Sequence, residues 1–241
     1  MDIFEYHIPS EVVYILAIIL AVLVICSTTF WIISRRKKSE LMSELITRTN
    51  SWWKMAIGVT LVITMPSIVG TVILAYVSFV ALREMLSIAR LRTADRSALF
   101  TAYLAIPVQY YLAYNNFYDQ FLYFIPLIMF IGLPVILVMS GNTKYLGRSM
   151  STLPAMLMLT VYMLSHMVLL FHVDVPGFSA GPGGLIIFLI MLTAFNDVFQ
   201  FTWGKLLGKR KILPMVSPNK TWEGFTLSSF LNKLSPTGKR V

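Results

Sequence analysis

Charge is scarce in this chain. Only 13% of its 241 residues are Asp, Glu, Lys or Arg, while 57% are hydrophobic. A soluble domain carries roughly 25% charged and 45–50% apolar residues. Too little polar surface is available to coat a water-soluble globule, and the apolar share is far too high for a disordered chain. Cysteine is reduced to Cys26, which excludes a disulfide scaffold and a cysteine-based zinc site. Within an apolar helix that thiol reads as a packing or lipid-facing residue. Repeats of fixed period, low-complexity tracts and a second soluble domain are also missing. Acidic residues are the scarcer charge, 11 against 20 Lys and Arg, for a net +9.

What the chain has in abundance is apolar runs, with a mean hydropathy of +0.73. A bilayer core takes about 20 helical residues. Stretches of suitable character cover 12–33, 55–82, 97–113, 120–139, 152–171 and 183–203. They predict an all-α, polytopic integral membrane protein of about six to seven membrane segments. The stretch 55–82 is unusual. As one helix it would measure about 42 Å, and Pro66 and Gly70 fall in its middle. It forms either one tilted, kinked span or a short hairpin whose arms are each short for a full span.

Basic residues favour the hairpin, because Lys and Arg collect in cytoplasmic loops. Six lie between Ser34 and Lys54 and four between Arg83 and Arg96, and a hairpin puts both groups inside. The remaining loops then alternate. Residues 115–119 and 172–182 carry no Lys or Arg and fall outside; 141–151, with Lys144 and Arg148, and 205–220, with five, fall inside. Asp2, Glu5 and Glu11 open the chain, unlike the basic start of a cleaved signal, so the first helix is expected to be an anchor with its N-terminus outside. The positive charge is therefore a sidedness pattern, reinforced by anionic lipid, and no nucleic-acid partner is implied.

Most polar residues have a plain structural reading. His166 and His172 are six apart and do not share a helix face, so packing explains them better than a metal. Gly181-Pro-Gly-Gly184 lacks the spacing of a phosphate loop, falls on the outer side, and reads as a turn before the last helix. The charged segment with Arg83, Glu84, Arg90, Arg92, Asp95 and Arg96 reads as a solvated surface, with lipid phosphate as its functional alternative. Asp197 is different, because it lies within the last apolar run. A carboxylate buried in a bilayer costs on the order of 2.5–3.5 kcal/mol and is by default a functional-site hypothesis, against the plainer reading of a helix-to-helix hydrogen bond. Helical spacing aligns it with Gln200, Gly204 and Gly208, a polar and small face that could admit water, a cation or a substrate.

Beyond the predicted membrane edge stand Lys209, Arg210 and Lys211, then Ser217-Pro-Asn-Lys-Thr221. Cations, two hydroxyls and the Asn219 amide within a dozen residues supply what a phosphate cluster requires, charge neutralisation with directed donors. Pro214 and Pro218 stop the helix and stiffen the segment. It is not a P-loop: Gly204-Lys-Leu-Leu-Gly208-Lys209 is one spacer short, and Arg210 stands where a Ser or Thr would bind Mg2+. Lys209, Arg210, Ser217, Asn219, Lys220 and Thr221 are the candidate phosphate-binding residues, and Asp197 is the candidate metal ligand.

This stretch resembles the phosphatidate cytidylyltransferases (CDP-diacylglycerol synthases). Their pattern has an Asp at the end of a membrane helix, Gly-x-x-x-Gly-basic, then Ser-Pro-x-Lys-Thr-Trp-Glu-Gly-Phe. Asp197, Gly204, Gly208, Lys209, Ser217, Pro218, Lys220, Thr221, Trp222, Glu223, Gly224 and Phe225 match in turn. Gln200-Phe201 replaces the Ala-Tyr of many members, which marks a divergent branch. The resemblance implies a nucleotidyltransferase of phospholipid biosynthesis. It would join CTP to phosphatidate, giving CDP-diacylglycerol and pyrophosphate, with Mg2+, at a bacterial inner membrane with 204–222 cytoplasmic. Residues 1–225 then correspond to the front membrane portion of such an enzyme, and 226–241 depart from the pattern. The family's late Asp-rich motif, to which much of its metal and nucleotide chemistry is assigned, has no counterpart here. No catalytic residue is assigned for that reason, and impaired turnover is expected of these residues alone. The rival reading is a catalytically inactive membrane protein that binds lipid phosphate or a partner enzyme. A homo-oligomer is left open.

Overall fold

In hydrocarbon no water is available to satisfy backbone N–H and C=O groups, so an apolar run of this length has to become helix. A computed structural model of the chain describes residues 9–36, 40–89, 95–139, 141, 146–213, 217–223 and 225–226. Among these residues it shows seven helices and one two-stranded hairpin. We number the helices α1 (Ser10–Arg36), α2 (Glu40–Thr64), α3 (Ser67–Ile88), α4 (Arg96–Tyr114), α5 (Tyr118–Met139), α6 (Leu146–His172) and α7 (Gly181–Leu207). The strands are β1 (Lys211–Leu213) and β2 (Ser217–Thr221). Five helices, α1, α3, α5, α6 and α7, are long and apolar enough to cross a membrane. The architecture is that of an all-α polytopic membrane protein. The chain divides into two compact units, Met1–Gly184 and Leu185–Val241.

The stretch 55–82 is broken at Met65–Pro66. Pro66 takes an extended conformation (φ −50°, ψ 146°) and starts α3, since proline has no N–H to continue the preceding ladder. The chain folds back at this corner. A Cβ on Gly70 would lie 2.9 Å from the Val62 carbonyl oxygen, whereas residues eight apart in one continuous helix are about 12 Å apart. The same Cβ would lie 2.9 Å from Cζ of Phe171, so the corner occupies the end of the bundle where α6 finishes. Both arms outrun the apolar stretch. α2 begins upstream at Glu40, and α3 continues through exposed Arg83 and Glu84 to Ile88. At 22 residues α3 is long enough to span by itself, contrary to the expectation of two short arms. Counting apolar residues stops at the first charge, but Arg and Glu are good helix formers and the helix runs on through them.

The core of the first unit lies among α3, α4, α5 and α6. Leu82, Ala98, Ala102, Ala113, Phe121, Leu133, Leu157, Val161 and Val168 are fully buried there. α4 contributes a face of alanines that lets its neighbours approach closely, while Phe100, Leu104, Val108 and Tyr111 are exposed on its other side. Its four tyrosines, Gln109 and Pro107 lower its mean hydropathy and keep it out of the five apolar spans. Directed polar ties fix the register of these helices. Ser78 and Tyr110 hydroxyls lie 2.6 Å apart, Ser149 donates to the buried Asp95 carboxylate at 2.7 Å, and the Gln109 amide donates to the Phe121 carbonyl at 3.3 Å and to Ser165 Oγ at 3.4 Å. α1 and α2 pair through the Trp53 indole, which donates to Ser27 at 2.9 Å.

α5 and α6 each contain a π-helical turn, Phe124–Met129 and Met158–Tyr162. The first holds Pro126, whose missing N–H an α-helical ladder would leave as a gap. At the end of the second, the Tyr162 carbonyl accepts from Ser165 Oγ at 2.8 Å and lies 2.7 Å from His166 Nδ1. The His166 ring stands edge-on to Phe121 and Tyr162, so His166 is a packing residue. Gly181-Pro-Gly-Gly184 forms the first turn of α7 and not a turn before it; proline at the second position suits a helix start, where its missing N–H is not needed.

Reporters fused after Lys38 and after Arg92 should both read cytoplasm, and one at Asn116 should read outside. Opposite sides for the first two would mean that only one of α2 and α3 crosses.

Candidate functional site

The residues that carry the phosphate argument all belong to the second unit. α7 ends at Leu207, with Lys205 in its last turn, where a cation suits the partial negative charge of a helix C-terminus. The Lys205 ammonium also lies 5.6 Å over the Phe201 ring. Beyond Gly208 the chain forms an antiparallel hairpin that sequence reasoning left as a stiffened segment. Lys211 stands opposite Thr221 and Leu213 opposite Ser217, with the register broken between them. Two residue steps of β1 face four of β2, so the excess falls on the strand containing Pro218, a residue that sheets tolerate at edges and bulges.

Three contacts hold the hairpin against the end of α7. The first is steric. A Cβ on Gly208 would run into the Gly204 carbonyl oxygen and lie 2.6 and 2.7 Å from Cγ2 and Oγ1 of Thr221. Only a residue without a side chain allows this approach. The second is the backbone bond from Trp222 N–H to the Arg210 carbonyl at 2.9 Å. The third is Glu223, whose carboxylate accepts the Lys209 N–H at 3.1 Å and the Arg210 N–H at 3.2 and 3.3 Å. Its own backbone N–H holds the Glu223 carboxyl below its ordinary value, helped by the amides of Arg210 and Lys209 and by the Arg210 charge.

Lys209, Arg210, Lys211 and Lys220 are all exposed on this framework. Successive strand residues point to opposite faces, so Lys220 projects away from the face on which Thr221 packs against Gly208. The Thr221 side chain is thereby engaged in packing. Ser217 and Asn219 belong to β2, and their side chains lie outside the described residues, as do Pro214, Gly224 and the tail 227–241. Asp197 shares a helix stripe with Gln200 and Gly204 and is exposed on α7, itself a candidate membrane span; neighbouring Leu192 and Phe195 are exposed too. Elsewhere in the charged segments, Lys37, Lys38, Arg90 and Arg92 fall outside the described residues.

No group of three or more His, Cys, Asp or Glu side chains fit to hold a metal occurs among the described residues. They do not form an all-protein cage. Mg2+ is commonly held by one or two carboxylates together with substrate phosphates and water, and Asp197 would supply one such carboxylate. The Glu223 carboxylate is engaged with the Lys209 and Arg210 amides. Sequence reasoning passed over Glu223 as a contact. The local sequence shows an acidic residue three positions after Lys220, but its partners lie 13 and 14 residues upstream.

The described residues thus form a polytopic helical membrane architecture, and a hairpin displaying exposed Lys209, Arg210, Lys211 and Lys220 follows the last helix. The chain belongs to the cytidylyltransferase family, whose profile matches residues 46–235. It is 31% identical over 209 residues to the uncharacterized protein YnbB of Escherichia coli strain K12, covering 87% of this chain and 68% of that one. A segment of 39 residues is 51% identical to a phosphatidate cytidylyltransferase of Chlamydia trachomatis, covering 16% of this chain and 13% of the enzyme. Another of 51 residues is 35% identical to a phosphatidate cytidylyltransferase of Staphylococcus aureus, covering 21% and 20% respectively. These enzyme matches span about a fifth of the enzymes' length or less. No solved structure matches the chain.

Two outcomes follow from this geometry. Gly208→Ala should push the hairpin off the end of α7, at a cost of about 1–3 kcal/mol for forced overpacking, seen as proteolytic nicking between Leu207 and Thr221 while the helical content persists. Acidification should act through Glu223. Because its folded value is depressed, its contribution is present above the ordinary value of about 4.5 and is lost as pH falls below it through the folded value. Amide exchange at Lys209 and Arg210, corrected for intrinsic rates, should accelerate in that window and stay constant from pH 5 to about 8.

Proposed function

We propose that the protein acts in CTP:phosphatidate cytidylyl transfer, with the hairpin after α7 as its phosphate-binding element. In this reaction a phosphate oxygen of phosphatidate attacks the α-phosphorus of CTP. A new P–O bond forms, the α–β phosphoanhydride bond breaks, and pyrophosphate leaves, giving CDP-diacylglycerol. Several negative charges must converge on one centre, so positioning and charge stabilisation carry most of the work.

The observation that supports this reading is the exposed set Lys209, Arg210 and Lys220, held on a hairpin where a membrane helix ends. A lipid phosphate lies at the bilayer surface and a nucleotide comes from the adjoining water. A basic element at the end of a span meets both. Lys209 and Lys220 offer mobile ammonium donors, and Arg210 offers a planar fork suited to two phosphate oxygens. Mg2+, when bound with Asp197 as a ligand, neutralises further phosphate charge. The named relatives support the choice of CTP and phosphatidate, since the segments they share with this chain come from phosphatidate cytidylyltransferases.

Calorimetric titration of CTP, and of vesicles with and without phosphatidate, tests the proposal. Lys220→Ala should weaken binding about tenfold or more, the loss of one charge-assisted contact worth roughly 1.5–3 kcal/mol. Lys38→Ala removes one charge from the run of cations Arg35–Lys38 and should have little effect. Equal, small effects at both positions would reduce the hairpin to a membrane-surface anchor. Phosphatidate binding without CTP binding would favour the rival reading of a lipid-phosphate binder.

A further inference from the structure

We propose that Glu223 is a positioning residue for the basic hairpin: it holds the Lys209 and Arg210 amides, aims their side chains at phosphate, and does not touch substrate. The proposal rests on the function proposed above and deepens it.

The backbone ladder shows why a side chain is needed here. β1 and β2 pair through Lys211 and Thr221, and the pairing extends one step to Trp222 N–H on the Arg210 carbonyl. There the second strand stops, because Trp222 and Glu223 enter a helical turn, with Thr226 Oγ1 donating back to their carbonyls at 3.0 and 3.3 Å. At this end of the ladder the Glu223 carboxylate accepts both the Lys209 and the Arg210 N–H groups. Residues 209 and 210 leave a helix and enter a strand, so the carboxylate fixes the backbone from which two cationic side chains project. Gly208 against Thr221 fixes the other side of the same junction.

Charge and position predict opposite signs. Lys209, Arg210, Lys211 and Lys220 contribute four positive charges, and Glu223 removes one. If Glu223 mattered only through its charge, deleting it would raise the local potential and tighten phosphate binding. If it positions the cations, deleting it weakens binding although the site becomes more positive. The clasp is exposed and exposed ionic contacts add little to global stability, so the effect should appear in affinity and not in the melting temperature.

The experiment uses the full chain in lipid nanodiscs, with CTP as the titrant and amide exchange at residues 209 and 210 as the second readout. Glu223→Ala should speed exchange at both amides and weaken CTP binding about five- to tenfold. Glu223→Gln keeps an acceptor oxygen and should retain most of the affinity, within about two- to threefold. Equal or tighter CTP binding by Glu223→Ala, or unaltered exchange at both amides, would overturn the proposal. If Glu223→Ala does not fold, Glu223→Asp decides: its side chain is one methylene shorter and should lose affinity where Glu223→Gln does not. If the unsubstituted chain binds neither CTP nor phosphatidate vesicles, the proposed function fails and the positioning role with it. If it binds and the Glu223 variants bind as well, only the positioning role fails.

Discussion

The need to satisfy every backbone hydrogen bond without water shapes this protein at each level. In the lipid-exposed parts helix alone meets it, so the apolar runs become helices and their ends become the places where the requirement is hardest to meet. The structure answers differently at each such place. At Met65–Pro66 the chain reverses and α3 begins from a residue that has no N–H to satisfy. At the Tyr162 carbonyl, Ser165 and His166 supply side-chain partners. Where β2 ends, a glutamate carboxylate accepts two backbone amides. The candidate site is thus built at a backbone discontinuity, and the cations it displays are oriented by that repair.

The polar ties of the bundle follow from the same constraint. Lipid tails are as apolar as leucine, so burial alone does little to choose one helix pairing over another. Ser78 with Tyr110, Ser149 with Asp95 and Gln109 with Ser165 each join helices distant in sequence. Each supplies a direction that dispersion contacts among Leu133, Leu157 and Val161 lack. The alanine face of α4 brings its neighbours near enough for these bonds to form.

Features governed by composition were legible in the sequence, and features governed by long-range contact were not. Apolar length disclosed the helical membrane architecture, and the cations after α7 with their proline-bounded motif disclosed both the family and the exposed Lys220. The start of α2 was hidden because Glu44 and Arg48 look like loop, although one turn apart they make a 3.4 Å pair along the helix. The strands escaped notice because β1 has three residues and β2 contains Pro218, too short and too interrupted for an alternating pattern to emerge. Thr221 looked like a free hydroxyl donor, and only its proximity to Gly208 shows it packed. Glu223 reaches across 13 and 14 residues to its partners, a distance no local spacing rule covers.

The π-helical turns of α5 and α6 have a bearing on how these spans tolerate change. A π turn takes up about one residue more than an α turn, and one residue corresponds to about 100° around the axis. A row of every fourth residue drifts about 40° per step around an ideal α-helix, and the extra residue of each π turn offsets that drift, so one row stays buried along the whole span: Phe121, Ile125, Met129, Leu133 and Leu137 in α5, and Ser149, Leu153, Leu157, Val161 and Ser165 in α6. Removing a single residue from either turn would restore an unbroken α-helix of nearly the same length and hydrophobicity, while swinging one half of its side chains away from their partners.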